Sequence, residues 1–354
     1  MAIALPCYAS REMVQRSLDL KDTWRSSDQI DRAIETASRT IDSQLHRVFY
    51  PRDMTVYFDW PNWQRAAPWR LWFNQWDLVS ATAVTSGGVV IPLGSVIFRP
   101  TNRLPGRPYT GLELDRSTSA AFAAGATPQN SIGITGTWGY AADTDSAGIL
   151  AAQIATTSVT TMQVSDGSLL GVGDLAVIQS ERLLVTGRAT VTTGQTNLSG
   201  ATTASAADSA VTVTDGTQVH AGEVLLLDQE QLLIVDVTGN VLTVKRAWNG
   251  STLAVHSTAT TLYAYRVLTV ARGQLGTTAA THSQNAAILR HRPPPLIRDL
   301  GIAEAENQLL QETSGYSRTV GAGDTAMPAS GAGLADKWDE AMQAHGRKAR
   351  QRSI

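Results

Sequence analysis

The chain has 354 residues, 43 % of them hydrophobic, with a formal net charge of −2. That apolar content supports a packed core and excludes a disordered chain, while the length suits two domains or one domain with a large insertion. No run of about eighteen apolar residues offers a membrane span, the near-neutral charge makes no global case for nucleic-acid binding, and the single Cys7 excludes both an internal disulfide and a cysteine-based zinc site.

The N-terminus, Met1 to Pro6, has neither the basic region nor the apolar run of a secretory leader, so assembly in a reducing cytoplasm is expected. Arg11 to Leu18 is a short helical candidate. A longer one runs from Ser27 to His46, with Ile30, Ile34, Ala37, Ile41 and Leu45 as a 3.6-residue stripe. Ser26 and Gln29 form a capping box ahead of it, and Pro51 follows its end. Met54 to Trp60 reads as a strand. Five tryptophans crowd the next stretch: Trp60, Trp63, Trp69, Trp72 and Trp76. Strands are expected at 78–85 and 89–91 about a Ser86-Gly87-Gly88 turn, and again at Ile132 to Tyr140. After Pro293-Pro294-Pro295 a helix carries Ile297, Leu300, Ala303, Ala305, Leu309 and Leu310. Residues 315–333 are rich in Gly, Ser and Ala, and a last helix is expected from about Leu334 to Arg350.

Between Gly148 and Leu289 the composition turns to Val, Thr, Leu and Gly, the language of strands, and the segment repeats itself. At an offset of 49, Val164, Asp166, Gly167, Gly173, Glu181, Leu183 and Leu184 fall on Val213, Asp215, Gly216, Gly222, Glu230, Leu232 and Leu233. At an offset of 26, Val241 to Val244, Arg246, Gly250 and His256 fall on Val267 to Val270, Arg272, Gly276 and His282. The order implies nesting. One module (207–264) is intact, and the other (158–188 with 265–291) is split at the position of the intact module's Thr238-Gly239-Asn240 turn. Thr190 to Asp208 is the expected linker. The fold class is thus α+β: helices and a small β region at residues 1–148 and 292–354, with an all-β insertion of two nested modules over residues 149–291.

Candidate chemistry is sparse. Gly171-Val172-Gly173-Asp174-Leu175-Ala176 matches a dinucleotide-binding pattern, but strand-like residues flank it on both sides, so it is read as a turn. His256 and His282 hold equivalent repeat positions, with no carboxylate visible beside them in sequence, and are read as turn-fixing residues. Asp166, Asp174, Asp215, Glu223 and Glu230 lack the spacing of a calcium loop, so Asp-Gly is a turn signal. No catalytic, cofactor or metal residue is assigned, and the chain is expected not to be an enzyme. The tryptophan group with Arg65 and Arg70 points to core or subunit interface before a stacking ligand. From Leu150 to Tyr265 the chain is acidic, with four Lys/Arg against nine Asp/Glu. The tail is basic, and Arg347, Lys348, Arg350 and Arg352 suit either a helix C-terminus or phosphate and acidic-partner contact.

One constellation is distinctive. A long amphipathic helix ends in His46-Arg47-Val48-Phe49-Tyr50-Pro51. A strand reaching Phe58-Asp59-Trp60-Pro61 follows, then the strand Ile134-Thr135-Gly136-Thr137-Trp138-Gly139-Tyr140, and a helix leading to Ser314-Gly315-Tyr316-Ser317-Arg318. This resembles the head-to-tail connector, or adaptor, proteins of long-tailed bacteriophages over residues 10–145 and 293–320. The resemblance implies a bundle of N- and C-terminal helices joined to a small β region, and a dodecameric ring in the virion neck. Its partners would be the portal ring, the next neck ring (a stopper or tail-completion protein), other copies of itself and the DNA passing through, with no cofactor and no membrane. The C-terminal segment would reach the portal, through Arg318, Trp338, Arg347, Lys348, Arg350 and Arg352. Compact members of the family lack the insertion. A rival reading is a tail-tip or decoration protein whose β-modules bind a host-surface glycan.

Overall fold

The computed structural model describes residues 3–19, 26–61, 67–197, 203–313, 319–320, 327–328 and 332–347. Within them the chain is mixed α+β, with strands in the majority. Helices α1 (Arg11–Asp19) and α2 (Ser27–Leu45) open the chain. The capping box forms at the expected place, with the Ser26 and Gln29 side chains each accepting from the other's backbone N–H, so two helix-end donors are satisfied reciprocally. Ile30, Ile34, Ala37, Ile41 and Leu45 are all buried. The helix stops at His46, left-handed at φ 52°.

Seven short strands follow: β1 (Arg52–Phe58), β2 (Arg70–Trp72), β3 (Leu78–Ser86), β4 (Val89–Ile91), β5 (Val96–Arg99), β6 (Gly111–Leu114) and β7 (Ile132–Trp138). They form an antiparallel sheet of four strands in the order β1-β7-β3-β4 and another of three in the order β2-β6-β5. Both close on one core that includes Phe73, Leu78, Val84, Leu112, Ile132, Ile134 and Trp138. The glycines of the Gly136-Thr137-Trp138-Gly139 run answer to backbone crowding. A Cβ on Gly136 would meet the Ser80 carbonyl, where β3 bulges between Ala81 and Ala83. Gly139, at φ 138°, sits against the Tyr50 carbonyl. Only glycine permits both approaches.

The β-rich middle comprises β8 (Thr144–Ile149), β9 (Thr161–Gln163), β10 (Leu175–Ile178), β11 (Glu181–Thr196), β12 (Ala210–Thr212), β13 (Val224–Leu227), β14 (Glu230–Thr238), β15 (Val241–Lys245), β16 (Thr261–Ala271) and β17 (Ala287–His291). These join in one sheet of ten strands. The two offsets carry one set of pairings onto the other. Leu175↔Leu184 becomes Val224↔Leu233, and Met162↔Leu268 becomes Val211↔Leu242. The bulge between Val185 and Gly187 recurs between Ile234 and Asp236. The linker differs from expectation. β11 runs on to Thr196 and pairs through Val191↔Ala264 and Thr192↔Tyr263 with the first half of β16, so the split turn is drawn out into a two-stranded ribbon. β13 joins the same half of β16 by Leu225↔Ala264.

Packing separates the siblings. The inner module has a cluster of its own, from Val211 and Val213 through Leu225, Leu232 and Leu242 to Leu262. Outer-module residues such as Val164, Ile178, Leu183 and Val270 instead share one cluster with Val14, Ile30 and Ile34 of the first two helices and with Leu309. The packing therefore runs across the composition change near Gly148. Leu309 belongs to α3 (Pro295–Thr313), which follows the prolines as expected. α4 (Ala332–His345) ends before the expected Arg350. Its last turn is closed by the Gly346 N–H on the Met342 carbonyl at 2.9 Å, and Arg347 then turns away to the Leu45 carbonyl at 3.1 Å.

Candidate partner-binding surfaces

Some of the residues that carry the adaptor resemblance, Phe49, Tyr50 and Tyr140, meet in one cluster, whereas Phe58, Trp60, Ile134 and Trp138 belong to the small-sheet core and Ser314 to Arg318 lie outside the described residues. Tyr8, Ile41, Leu45, Phe49, Tyr50, Tyr140, Ile297, Leu300 and Ala341 form one buried cluster. Phe49 lies at its centre, edge-on to Tyr8 at 5.6 Å and tilted against Tyr140 at 5.0 Å. Such aromatic pairs add about 0.5–1.5 kcal/mol each to the burial itself. The Tyr140 hydroxyl receives Arg107, which also donates to the Ala344 carbonyl at 2.7 Å, and faces His345 Nδ1 at 2.9 Å. Helix α4 is thereby tied to the Trp138-Gly139-Tyr140 exit.

Two expected partner-contact residues are engaged inside this junction. Trp338 packs on the cluster and its indole N–H donates to Glu304 at 3.1 Å. Arg347 holds the buried Asp77 carboxylate at 2.7 Å and donates to the His46 carbonyl at 3.3 Å, with the Asn74 carbonyl as a further partner. Burial raises the Asp77 pKa, against the pull of Arg47 and Arg347. Arg318, Lys348, Arg350 and Arg352 lie outside the described residues.

Of the tryptophans, Trp63 also lies outside the described residues. Trp60, Trp69 and Trp76 pack half-buried against the small-sheet core, Trp60 on Phe122 at 5.0 Å and Trp76 edge-on to Trp138 at 6.2 Å. Arg116 covers Trp69 at 4.5 Å and Arg52 covers Trp76 at 5.7 Å, within cation–π range. Trp72 instead lines an open groove with Arg70, Arg99 and Glu113. Both arginines there donate to Glu113 at 2.6 Å and hold its pKa low.

The repeat's polar residues prove to be architecture. Glu230, fully buried, accepts two bonds from Arg246 (2.7 and 2.8 Å), backbone N–H groups of Ala247 and Ala254 (both 2.9 Å), and faces His256 Nε2 at 2.9 Å. Glu181 repeats this with Arg272 (2.7 and 2.8 Å), Gly273 and Ala280 (both 3.0 Å) and His282 (2.8 Å). Burial pushes each carboxylate up, but these donors outweigh it and hold both at about 2. The two histidines do have a recurring carboxylate, which sequence reading missed. The signal was present, since Glu181 and Glu230 are themselves repeat-equivalent. The Asp-Gly turns behave as expected, with Asp166 accepting the Ser168 N–H at 2.7 Å and Asp215 the Thr217 N–H at 3.0 Å. Gly171 to Gly173 is a loop ahead of β10 that docks the N-terminus, the Val172 N–H donating to Glu12 at 2.9 Å. Among the described residues no group of three or more His, Cys, Asp or Glu could hold a metal ion, and no helix is long and apolar enough to cross a membrane.

Among the exposed apolar residues, Val89 and Val90 on β4 are each 67 % exposed and Val255 in the inner module 61 %, beside Leu104 at 69 %, Val235 at 59 % and Tyr57 at 58 %. No protein-family model, no curated protein and no solved structure matches the chain.

Proposed function

We propose that this chain is a structural head-to-tail adaptor of a tailed-phage virion, a ring between the portal and the next neck component through which DNA passes. The observation that carries the reading is the single cluster in which Phe49, Tyr50, Tyr140, Ile297 and Leu300 meet. The end of the long helix segment, the exit of the Trp138 strand and the start of the C-terminal helix thus pack together. In this reading the helices of the two chain ends form the adaptor's bundle. Their contacts include the shared core of α1, α2 and α3 and the Arg32–Glu312 ion pair at 2.8 Å. Because Trp338 and Arg347 are engaged within the chain, portal contact is assigned to Arg318, Lys348, Arg350 and Arg352. The acidic stretch from Leu150 to Tyr265 is repelled by DNA and lies away from the channel.

Native mass spectrometry of the purified chain, alone and mixed with the cognate portal, tests the reading. The expected result is a chain that adds in multiples to the portal oligomer, and loses this after truncation following Arg347. Absence of portal binding overturns it, and glycan binding by the β-modules alone would put a tail-tip protein in its place.

A further inference from the structure

The nested modules carry the same loop, and among the described residues the outer one bonds a strand of the small sheet while no such backbone bond is made by the inner one. In the outer module Leu275 is left-handed at φ 56° and Gly276 follows at φ 85°. The Leu275 carbonyl accepts the Asp53 N–H of β1 at 2.8 Å, and Arg182 reaches the Asp53 carboxylate at 2.9 Å. The loop therefore covers one edge of the four-stranded sheet, a common protection for exposed strand edges. In the inner module Asn249 (φ 53°) and Gly250 (φ 74°) reproduce that backbone. The support beneath is also the same, since Ser251 accepts the Gln231 N–H at 2.9 Å as Thr277 accepts that of Arg182 at 3.0 Å. Among the described residues, no backbone hydrogen bond joins Asn249 to any strand.

The opposite edge of that same sheet, β4, is bare. Ser86↔Val89 closes a two-residue hairpin, so these two bond each other and Val90 turns its N–H and carbonyl outward. Val89 and Val90 are exposed beside it. Formal charge along the chain also differs between the stretches that carry these two surfaces. Residues 207–264 carry Asp208, Asp215, Glu223, Asp228, Glu230 and Asp236 against Lys245 and Arg246. Residues 67–123 carry Arg70, Arg99, Arg103, Arg107 and Arg116 against Asp77, Glu113 and Asp115.

We infer that the Asn249–Gly250 loop of one copy covers the β4 edge of a second copy, with the Asn249 carbonyl accepting the Val90 N–H. Val255 and Val89 leave water in the same contact. Each copy offers a loop to one neighbour and an edge to the other, a heterologous arrangement that closes into a ring when the rotation permits. This rests on the ring reading above and names the surfaces that build it.

Engineered cysteines report the contact cleanly, because Cys7 is the chain's one cysteine and is buried. Leu275 shows that a side chain is accepted at the backbone angle of Asn249. Full-length Asn249→Cys and Val90→Cys chains are mixed, with and without portal, oxidised, and read on non-reducing gels and by native mass spectrometry. The mixed disulfide is expected to exceed either homodimer at least tenfold. Val90→Pro and Val90→Lys are expected to abolish oligomers while the circular dichroism stays that of the parent. Oligomers that form without the mixed crosslink and survive both Val90 substitutions overturn the inference and leave the ring reading standing. No oligomer under any condition overturns both.

Discussion

Replacing Glu230 by Gln keeps the side chain's shape and removes its charge. Arg246 and His256 are both fully buried around it, so the substitution leaves an arginine in the inner module without its counter-ion. Breaking a buried pair from one side costs about 3–5 kcal/mol. Proton linkage yields a similar figure. The carboxylate falls from 4.5 to about 2 in the fold, and at about 1.4 kcal/mol per pH unit that is about 3 kcal/mol. Since the folded pKa is the lower one, this stability is present above pH 4.5 and is lost as pH falls towards 2. Hydrogen exchange read by mass spectrometry, with urea unfolding alongside, is the assay. Glu230→Gln should collapse protection in β12 to β15 before the rest of the chain. Glu181→Gln should loosen the outer module together with α1 and α2, because they share its core. Variants within about 0.5 kcal/mol of the parent, the range of an ordinary surface change, would refute the argument.

His291 is buried, and burial depresses its pKa from 6.5 to about 4, against a hydrogen bond to the Phe49 carbonyl at 2.9 Å. The unfolded chain takes up that proton first, so the group's contribution is present above pH 6.5 and is lost as pH falls to about 4; His291→Gln should flatten this part of the urea-midpoint profile by about 3 kcal/mol. An unchanged slope would remove His291 as its source. Gly139→Ala places a Cβ against the Tyr50 carbonyl at φ 138°. It should destabilise the chain by about 1–3 kcal/mol or more, visible as a lower melting temperature, whereas Gly194→Ala, at φ 74° with open space around it, should show only the backbone part of the loss.

Local patterns were legible in the chain itself. The stripe and capping box of α2 follow from helical periodicity and from donors three residues apart. The nesting of the modules is visible because the sequence can be compared with itself, and a repeated register needs only a repeated pattern of inward side chains and turns. The Gly136 and Gly139 spacing marked the right strand, though not why glycine was required there. What tertiary structure decided is which surfaces meet. Two modules of like sequence part company because one shares its core with α1, α2 and α3, whereas the other has a core of its own and meets α1 where Arg16 donates to the Gly222 carbonyl at 2.8 Å. Contacts such as Val172 with Glu12 and Arg182 with Asp53 join residues far apart in the chain. The sequence places Trp338 and Arg347 at a partner contact, and only the tertiary structure shows that Glu304 and Asp77 hold them within the chain. Periodicity is a property of neighbours along the chain, whereas the partner of a buried charge is settled only when distant segments close upon it.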